Sequence, residues 1–204
     1  EVVYEHKQKP KEVMSPQSAY LLTDMLRDVL RSGTGTYVGG RIGSYDVAGK
    51  TGTAQESKDV WFVGYTPKIA LSVWVGYDYE KSTPTVRPND QLARIMWANF
   101  FNTIQQTNPE LSPRSAQFKR PGGIVSAQIC EISGKRATEH CKHAGTAYNE
   151  LFQSGKAPKD QCDMHIEARV VDYEGKRYIA NDKTPADMVM NEGVGIRIPD
   201  HHKG

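Results

Sequence analysis

Val47-Ala48-Gly49-Lys50-Thr51-Gly52-Thr53-Ala54-Gln55 is the stretch on which the reading of this chain turns. It follows a connection rich in glycine and threonine and reads as a strand over residues 45–55. Outward from it, residues 60–65 and 69–77 read as a hairpin turning at Thr66-Pro67-Lys68. In the second arm Ile69, Leu71, Val73, Val75 and Tyr77 share one face, and Ala70, Ser72, Trp74 and Gly76 share the other. The small residues of that second face suit a closely packed helix. On the N-terminal side, residues 15–31 form the clearest helix. Leu22, Met25, Leu26, Val29 and Leu30 follow the spacing of one buried stripe, Ser15 and Pro16 suit the start, and Gly33 suits the end. Residues 32–43 are expected to be a loop. A second helix is expected over 91–106, with Leu92, Ile95, Met96 and Phe100 on its core side. Helices packed on an antiparallel sheet give an α+β layer.

Further along, turn and breaker signals mark residues 108–123 as a linker between a first domain, 1–107, and an extension, 124–204. Strand candidates in the extension are 124–129, 168–173 and 176–180, with Glu174-Gly175 as a hairpin turn between the last two. The extension is polar and is expected to be a small, loosely packed, β-rich appendage.

The bulk properties exclude more than they assign. With 204 residues, 38% hydrophobic and 25% charged, the chain can hold one domain and a small addition. A net charge of +2 gives no footprint for nucleic acid. No apolar run reaches the roughly 18 residues of a membrane span, so no membrane segment is expected in this chain. It starts without methionine, in what looks like a strand (Val2, Val3, Tyr4). It therefore reads as a piece of a longer protein, with any anchor and export signal upstream.

Lys50-Thr51-Gly52 is one of three signatures of serine-acylating penicillin-binding proteins and β-lactamases, beside S-x-x-K and S-D-N. Neither of the other two occurs here. The segment 13–78 resembles the C-terminal part of a penicillin-binding transpeptidase domain, of the bifunctional class A type. The likeness rests on five blocks in order. They are Met14-Ser15-Pro16, Gly33-Thr34-Gly35, Ala48 to Thr53, Asp59-Val60-Trp61-Phe62-Val63-Gly64-Tyr65-Thr66-Pro67, and Val73-Trp74-Val75-Gly76-Tyr77-Asp78. A phosphate-binding loop is the rival from another class, but Gly43 and Gly49 stand one residue too far apart and no apolar helix follows. Trp61, Phe62 and Trp74 read as core and strand-packing residues. Asp59 reads as a turn cap or the partner of a cation, not as a catalytic group.

The resemblance implies an α+β fold of the penicillin-binding and serine β-lactamase type. It implies that Lys50, Thr51, Gly52 and Thr53 bind the terminal carboxylate and backbone of a D-Ala-D-Ala stem peptide, or a β-lactam in its place. Lys50 and Thr53 would also serve catalysis, Thr53 through its backbone N–H as an oxyanion donor. The nucleophilic serine would come from the missing N-terminal part of the same protein or from a second chain, leaving this chain inactive alone. Its apolar surface should then be exposed where the nucleophile-bearing helices pack. No cofactor is implied. The parent would work on the outer face of the cytoplasmic membrane of a bacterium. A serine β-lactamase-like hydrolase and a non-catalytic cell-wall binding fragment are the alternatives.

Cys130, Cys141 and Cys162 all fall in the extension, with His140, His143 and His165. The tail also resembles class A proteins, in residues 125–130, Ser133-Gly134-Lys135, Ala137-Thr138, Cys141, Phe152, Gly155, Pro158 and Cys162. No Cys-x-x-Cys occurs, and Cys141 and His143 are separated by one residue, a poor match to structural zinc spacing. No metal ligands are therefore expected. In an exported protein one disulfide and a spare thiol is the plainer account; unpaired thiols and a metal site stay open. The histidines are expected at the surface.

Overall fold

The computed structural model describes residues 11–54, 59–76 and 91–197. The expectations for residues 2–4, 55–58 and 77–78 lie outside them. The chain divides into two units, Glu1–Gly122 and Gly123–Gly204, and the helices and antiparallel sheets make the fold α+β.

In the first unit, helix α1 (Pro16–Arg31) is capped by Ser15, whose hydroxyl accepts from the Ser18 N–H at 3.2 Å. Its inner side is partly polar. Leu30 is buried and Val29 packs on the same core, whereas Leu22 and Met25 of the expected stripe are exposed. A polar seam replaces them. The Thr23 hydroxyl meets the Tyr65 hydroxyl at 3.0 Å, and Arg27 forms a two-pronged ion pair with Asp46. Burial works against the Arg27 charge, but the hydrogen bonds to Asp46 and Tyr20 outweigh it and raise its pKa.

Residues 32–43, expected as a loop, contain a second helix, α2 (Thr36–Ile42). Val38 and Ile42, one turn apart, are buried in the common core, and Arg41 stacks over Tyr37 at 3.9 Å. Glycine here is a packing device. A Cβ on Gly39 would fall 2.2 Å from the Leu30 carbonyl oxygen of α1.

The sheet runs β1 (Ala48–Thr53), β2 (Val60–Tyr65), β3 (Ala70–Val75), in that order and all antiparallel. The hairpin between β2 and β3 turns where the sequence places it. Helix α3 (Leu92–Thr107) covers the face bearing Phe62, Leu71 and Val73. This corrects the expectation that a helix would lie on the small-residue face of β3. The buried side of α3 is also one position round from the expected one: Ala93, Trp97, Ala98 and Phe101. Met96 and Phe100 are 51% and 53% exposed. The larger rings win because they have partners. Trp97 stacks on Phe101 with centroids 5.1 Å apart, meets Phe62 edge-on at 5.3 Å, and donates its indole N–H to the Leu71 carbonyl at 2.9 Å. Gly64 makes room for it, since a Cβ there would lie 2.6 Å from the Trp97 ring. The opposite face of the sheet leaves Trp61, Val63 and Trp74 exposed, so of the three aromatics expected in the core only Phe62 is there.

Residues 108–122, within the stretch expected to be a linker, belong to the first unit and make defined contacts inside it. The buried Ser112 hydroxyl donates to the Thr66 hydroxyl at 2.9 Å, and the Phe118 N–H donates to Asp46 at 2.8 Å. The Phe118 ring packs on Tyr65 and under Arg27.

The second unit pairs β4 (Ile124–Cys130) with β5 (Ala147–Gln153) and places helix α4 (Glu139–His143) between them in sequence. Strands β6 (His165–Tyr173), β7 (Lys176–Ile179) and β8 (Met190–Ile196) form a second small sheet around β6, closed by one pair between Tyr178 and Ile196. The β6–β7 turn is Glu174-Gly175, both with positive φ, as a two-residue hairpin requires.

Candidate functional site

Strand β1 is an edge strand. It pairs with β2 on one side, from Ala48↔Tyr65 to Thr53↔Val60, and with no strand on the other among the described residues. Lys50 and Thr53 are exposed on it, and Thr51 and Gly52 half-buried. Successive backbone N–H groups of a strand point to opposite sides. The Ala54 N–H is taken by Asp59 O at 2.9 Å, on the β2 side, so the Thr53 N–H faces the open edge. The same alternation turns the Thr51 N–H outward.

The Lys50 ammonium donates to the Thr51 carbonyl at 2.9 Å and lies 3.2 Å from the Thr51 hydroxyl. That hydroxyl meets the Thr34 hydroxyl at 2.8 Å, and Arg94 donates to the Thr34 carbonyl at 2.7 Å. The Gly33-Thr34-Gly35 and Lys50-Thr51-Gly52 blocks, far apart in sequence, thus meet through two threonines. Gly52 has an internal role as well: its missing side chain lets Trp61 cross the strand, with a Cβ position 3.1 Å from Trp61 Cβ. Asp59 accepts from the Trp74 indole N–H at 2.9 Å, so its partner is a ring N–H rather than the cation or turn expected.

A positive charge, two hydroxyls and outward N–H groups on one sheet edge can receive an extended peptide by strand addition and hold its carboxylate. Lys50 lies within a strand, not in a loop opening a helix, which removes the phosphate-loop reading.

In the second unit all three cysteines are free thiols, and with His165 they are buried in one cluster. His165 is thus not at the surface as expected; His140 is half-buried and His143 exposed. Burial, then the nearby His140, holds the His165 pKa below its usual value. Burial pushes the Cys141 thiol up. Burial acts on Cys130 in the same sense, but hydrogen bonds from Ser133 and Ile132 prevail and lower it. The sequence signal for this cluster was the Cys162-Asp163-Met164-His165 spacing. With no Cys-x-x-Cys in the chain and a single residue between Cys141 and His143, that spacing alone is a poor match to a structural zinc site.

Known proteins place both units. Residues 3–89 match the penicillin binding protein transpeptidase domain, and residues 120–167 match the C-terminal domain of penicillin-binding protein 1A. Penicillin-binding protein 1A of Clostridium botulinum is 33% identical over 192 residues, which is 92% of this chain and 22% of that protein. The Clostridium novyi protein of the same name is 29% identical over 94% of this chain and 21% of its own length. The crystal structure of penicillin-binding protein 1A from Haemophilus influenzae superposes with a TM-score of 0.60 at 22% identity, covering 74% of this chain and 22% of that one. The chain belongs to the class A penicillin-binding proteins, matching the C-terminal part of their transpeptidase domain and the extension beyond it. It spans about a fifth of the length of these relatives.

Proposed function

We propose that this chain supplies the substrate-binding edge of a peptidoglycan D,D-transpeptidase. The outward Thr53 N–H beside Lys50 on an open strand edge is the observation that supports it most. A stem peptide ending in D-Ala-D-Ala would add to β1 as an extra strand. Lys50 and the Thr51 and Thr53 hydroxyls would hold its terminal carboxylate, and a β-lactam would present its own carboxylate to the same groups. The Thr53 N–H would stabilise the oxyanion formed when a serine attacks the carbonyl, a contribution of about 100- to 1,000-fold in rate for one such donor.

The serine comes from outside these residues. No Ser-x-x-Lys occurs here, and the exposed Trp61, Val63 and Trp74 offer an apolar face on which further elements of the domain would pack. The working enzyme would cross-link stem peptides through a serine acyl-enzyme on the outer face of the cell membrane, anchored by a segment other than this chain. Among the described residues no helix is long and apolar enough to cross a membrane. The chemistry calls for no cofactor.

Fluorescent penicillin tests this on a denaturing gel, with this chain and its parent protein in separate lanes. Label is expected on the parent and not on this chain alone. Label on the isolated chain would place a nucleophile within it and overturn the division of the site.

A further inference from the structure

The second unit buries few large apolar side chains. Its most enclosed groups include Cys130, Cys141 and Cys162, at 0, 0 and 7% exposure, and His165 at 2%. They arrive from separate places: the last residue of β4, the middle of α4, the connection after β5, and the first residue of β6. The His165 Nδ1 lies 3.4, 3.6 and 3.5 Å from the Sγ atoms of Cys130, Cys141 and Cys162. All four atoms fall within 4.8 Å of one another. Tetrahedral zinc, with its usual bond lengths to sulfur and imidazole nitrogen, sets those two atoms about 3.5–3.6 Å apart.

Hydrogen bonding does not account for this convergence. An unprotonated imidazole nitrogen has one lone pair and can accept from one thiol, which leaves two sulfurs directed at it without reason. A disulfide would use two sulfurs and give the histidine no part.

The surroundings also prepare the imidazole as a ligand. The Thr146 hydroxyl lies 3.2 Å from the Cys141 carbonyl oxygen and 3.3 Å from His165 Nε2. A carbonyl can only accept, so the hydroxyl proton goes there and the hydroxyl oxygen accepts from Nε2–H. The Nδ1 lone pair is then left facing the three sulfurs. Ligating histidines are held this way by an outer partner. On the other side, a tight turn closes over Cys130. The Gly134 N–H donates to the Cys130 carbonyl at 2.9 Å, and the Cys130 N–H to the Lys135 carbonyl at 2.8 Å.

We infer that Cys130, Cys141, Cys162 and His165 form a closed tetrahedral site for a zinc-type divalent cation that holds the second unit together. Four buried protein ligands leave no open position, which marks a structural centre rather than a catalytic one. On binding, one cation displaces the protons of three thiols to solvent and takes the lone pair of a neutral imidazole, with no change of oxidation state.

The full 204-residue chain, purified in reductant with no metal added, tests this by elemental analysis and thiol counting. One zinc per chain is expected, with the three thiols reacting in the native protein only when a chelator is present. Protein produced with cobalt should show the visible bands of a tetrahedral centre and a sulfur-to-metal charge-transfer band. Thr146→Val keeps every ligand and should weaken metal affinity about 10- to 100-fold. His165→Cys, which keeps four ligands, should retain one metal per chain, whereas His165→Ala should lose it. Metal well below one per chain would overturn the proposal. So would a single thiol titrating in denaturant after purification without reductant, because a disulfide would then have taken the other two. Unchanged affinity in Thr146→Val would also count against it.

Discussion

In the first unit Phe62, Trp97 and Phe101 meet ring to ring beneath a three-stranded sheet, with Tyr45 edge-on to Phe101 at 5.2 Å. In the second, the cluster at the corresponding depth is three cysteines with Ile132, Ala137, Ala147 and Met164 packed against them. Burying one large apolar side chain stabilises by roughly 1.5–3 kcal/mol, so the first core can order its sheet and helices through area alone. Thiols are small and gain less from leaving water. With the proposed cation in place, the second unit would be held by bonds at one point beside the few buried side chains Ile129 and Val170, and small domains commonly use such a staple. The proposed roles divide in the same way: the first unit presents Lys50, Thr51 and Thr53 on an open strand edge, and the second turns three cysteines and a histidine inward.

The contrast breaks most visibly on chelation. Removing the metal should abolish cooperative unfolding of the second unit, because structural zinc contributes about 10–16 kcal/mol of binding energy in small metal-folded peptides. The near-ultraviolet circular dichroism of the buried Trp97 should persist, since its surroundings belong to the first unit. Trp97→Ala should do the reverse. It should lower first-unit stability by about 3–5 kcal/mol in denaturant titrations while metal content stays at one per chain. The smallest effect is expected at Asp172. Arg177 binds it at 2.8 Å and holds its carboxyl below the usual range. A depressed folded pKa gives stability above the ordinary carboxylate value, lost as pH falls through the folded one. Asp172→Asn should slightly flatten the acid side of the second unit's stability profile, because both side chains are half-exposed.

Much of the first unit was legible because its signals are local. Ser15-Pro16 starts α1, and period-two alternation marks β2 and β3. Misses arose where two local patterns compete. Helix α3 has one apolar stripe through Leu92, Met96 and Phe100 and another through Ala93, Trp97 and Phe101. Only the partners Phe62 and the Leu71 carbonyl, which belong to the sheet, decide between them. Strand β8 was hidden by Gly193 and Gly195, which weaken a strand signal. A Cβ on Gly195 would fall 2.8 Å from a Val170 methyl, so the close approach there requires glycine. The edge strand with Lys50 could be read from its neighbours in sequence. The Cys/His cluster could not, since its members converge only once β4, α4 and β6 are in place.

The most direct test of the functional account is the rate at which penicillin acylates the parent protein with Lys50→Ala. A charged donor to a carboxylate is worth about 1.5–3 kcal/mol. The rate should therefore fall by roughly ten- to a hundredfold, with the unfolding midpoint of the first unit unchanged because the lysine is exposed. An unchanged rate would contradict the account, as would a fall that merely follows lost stability.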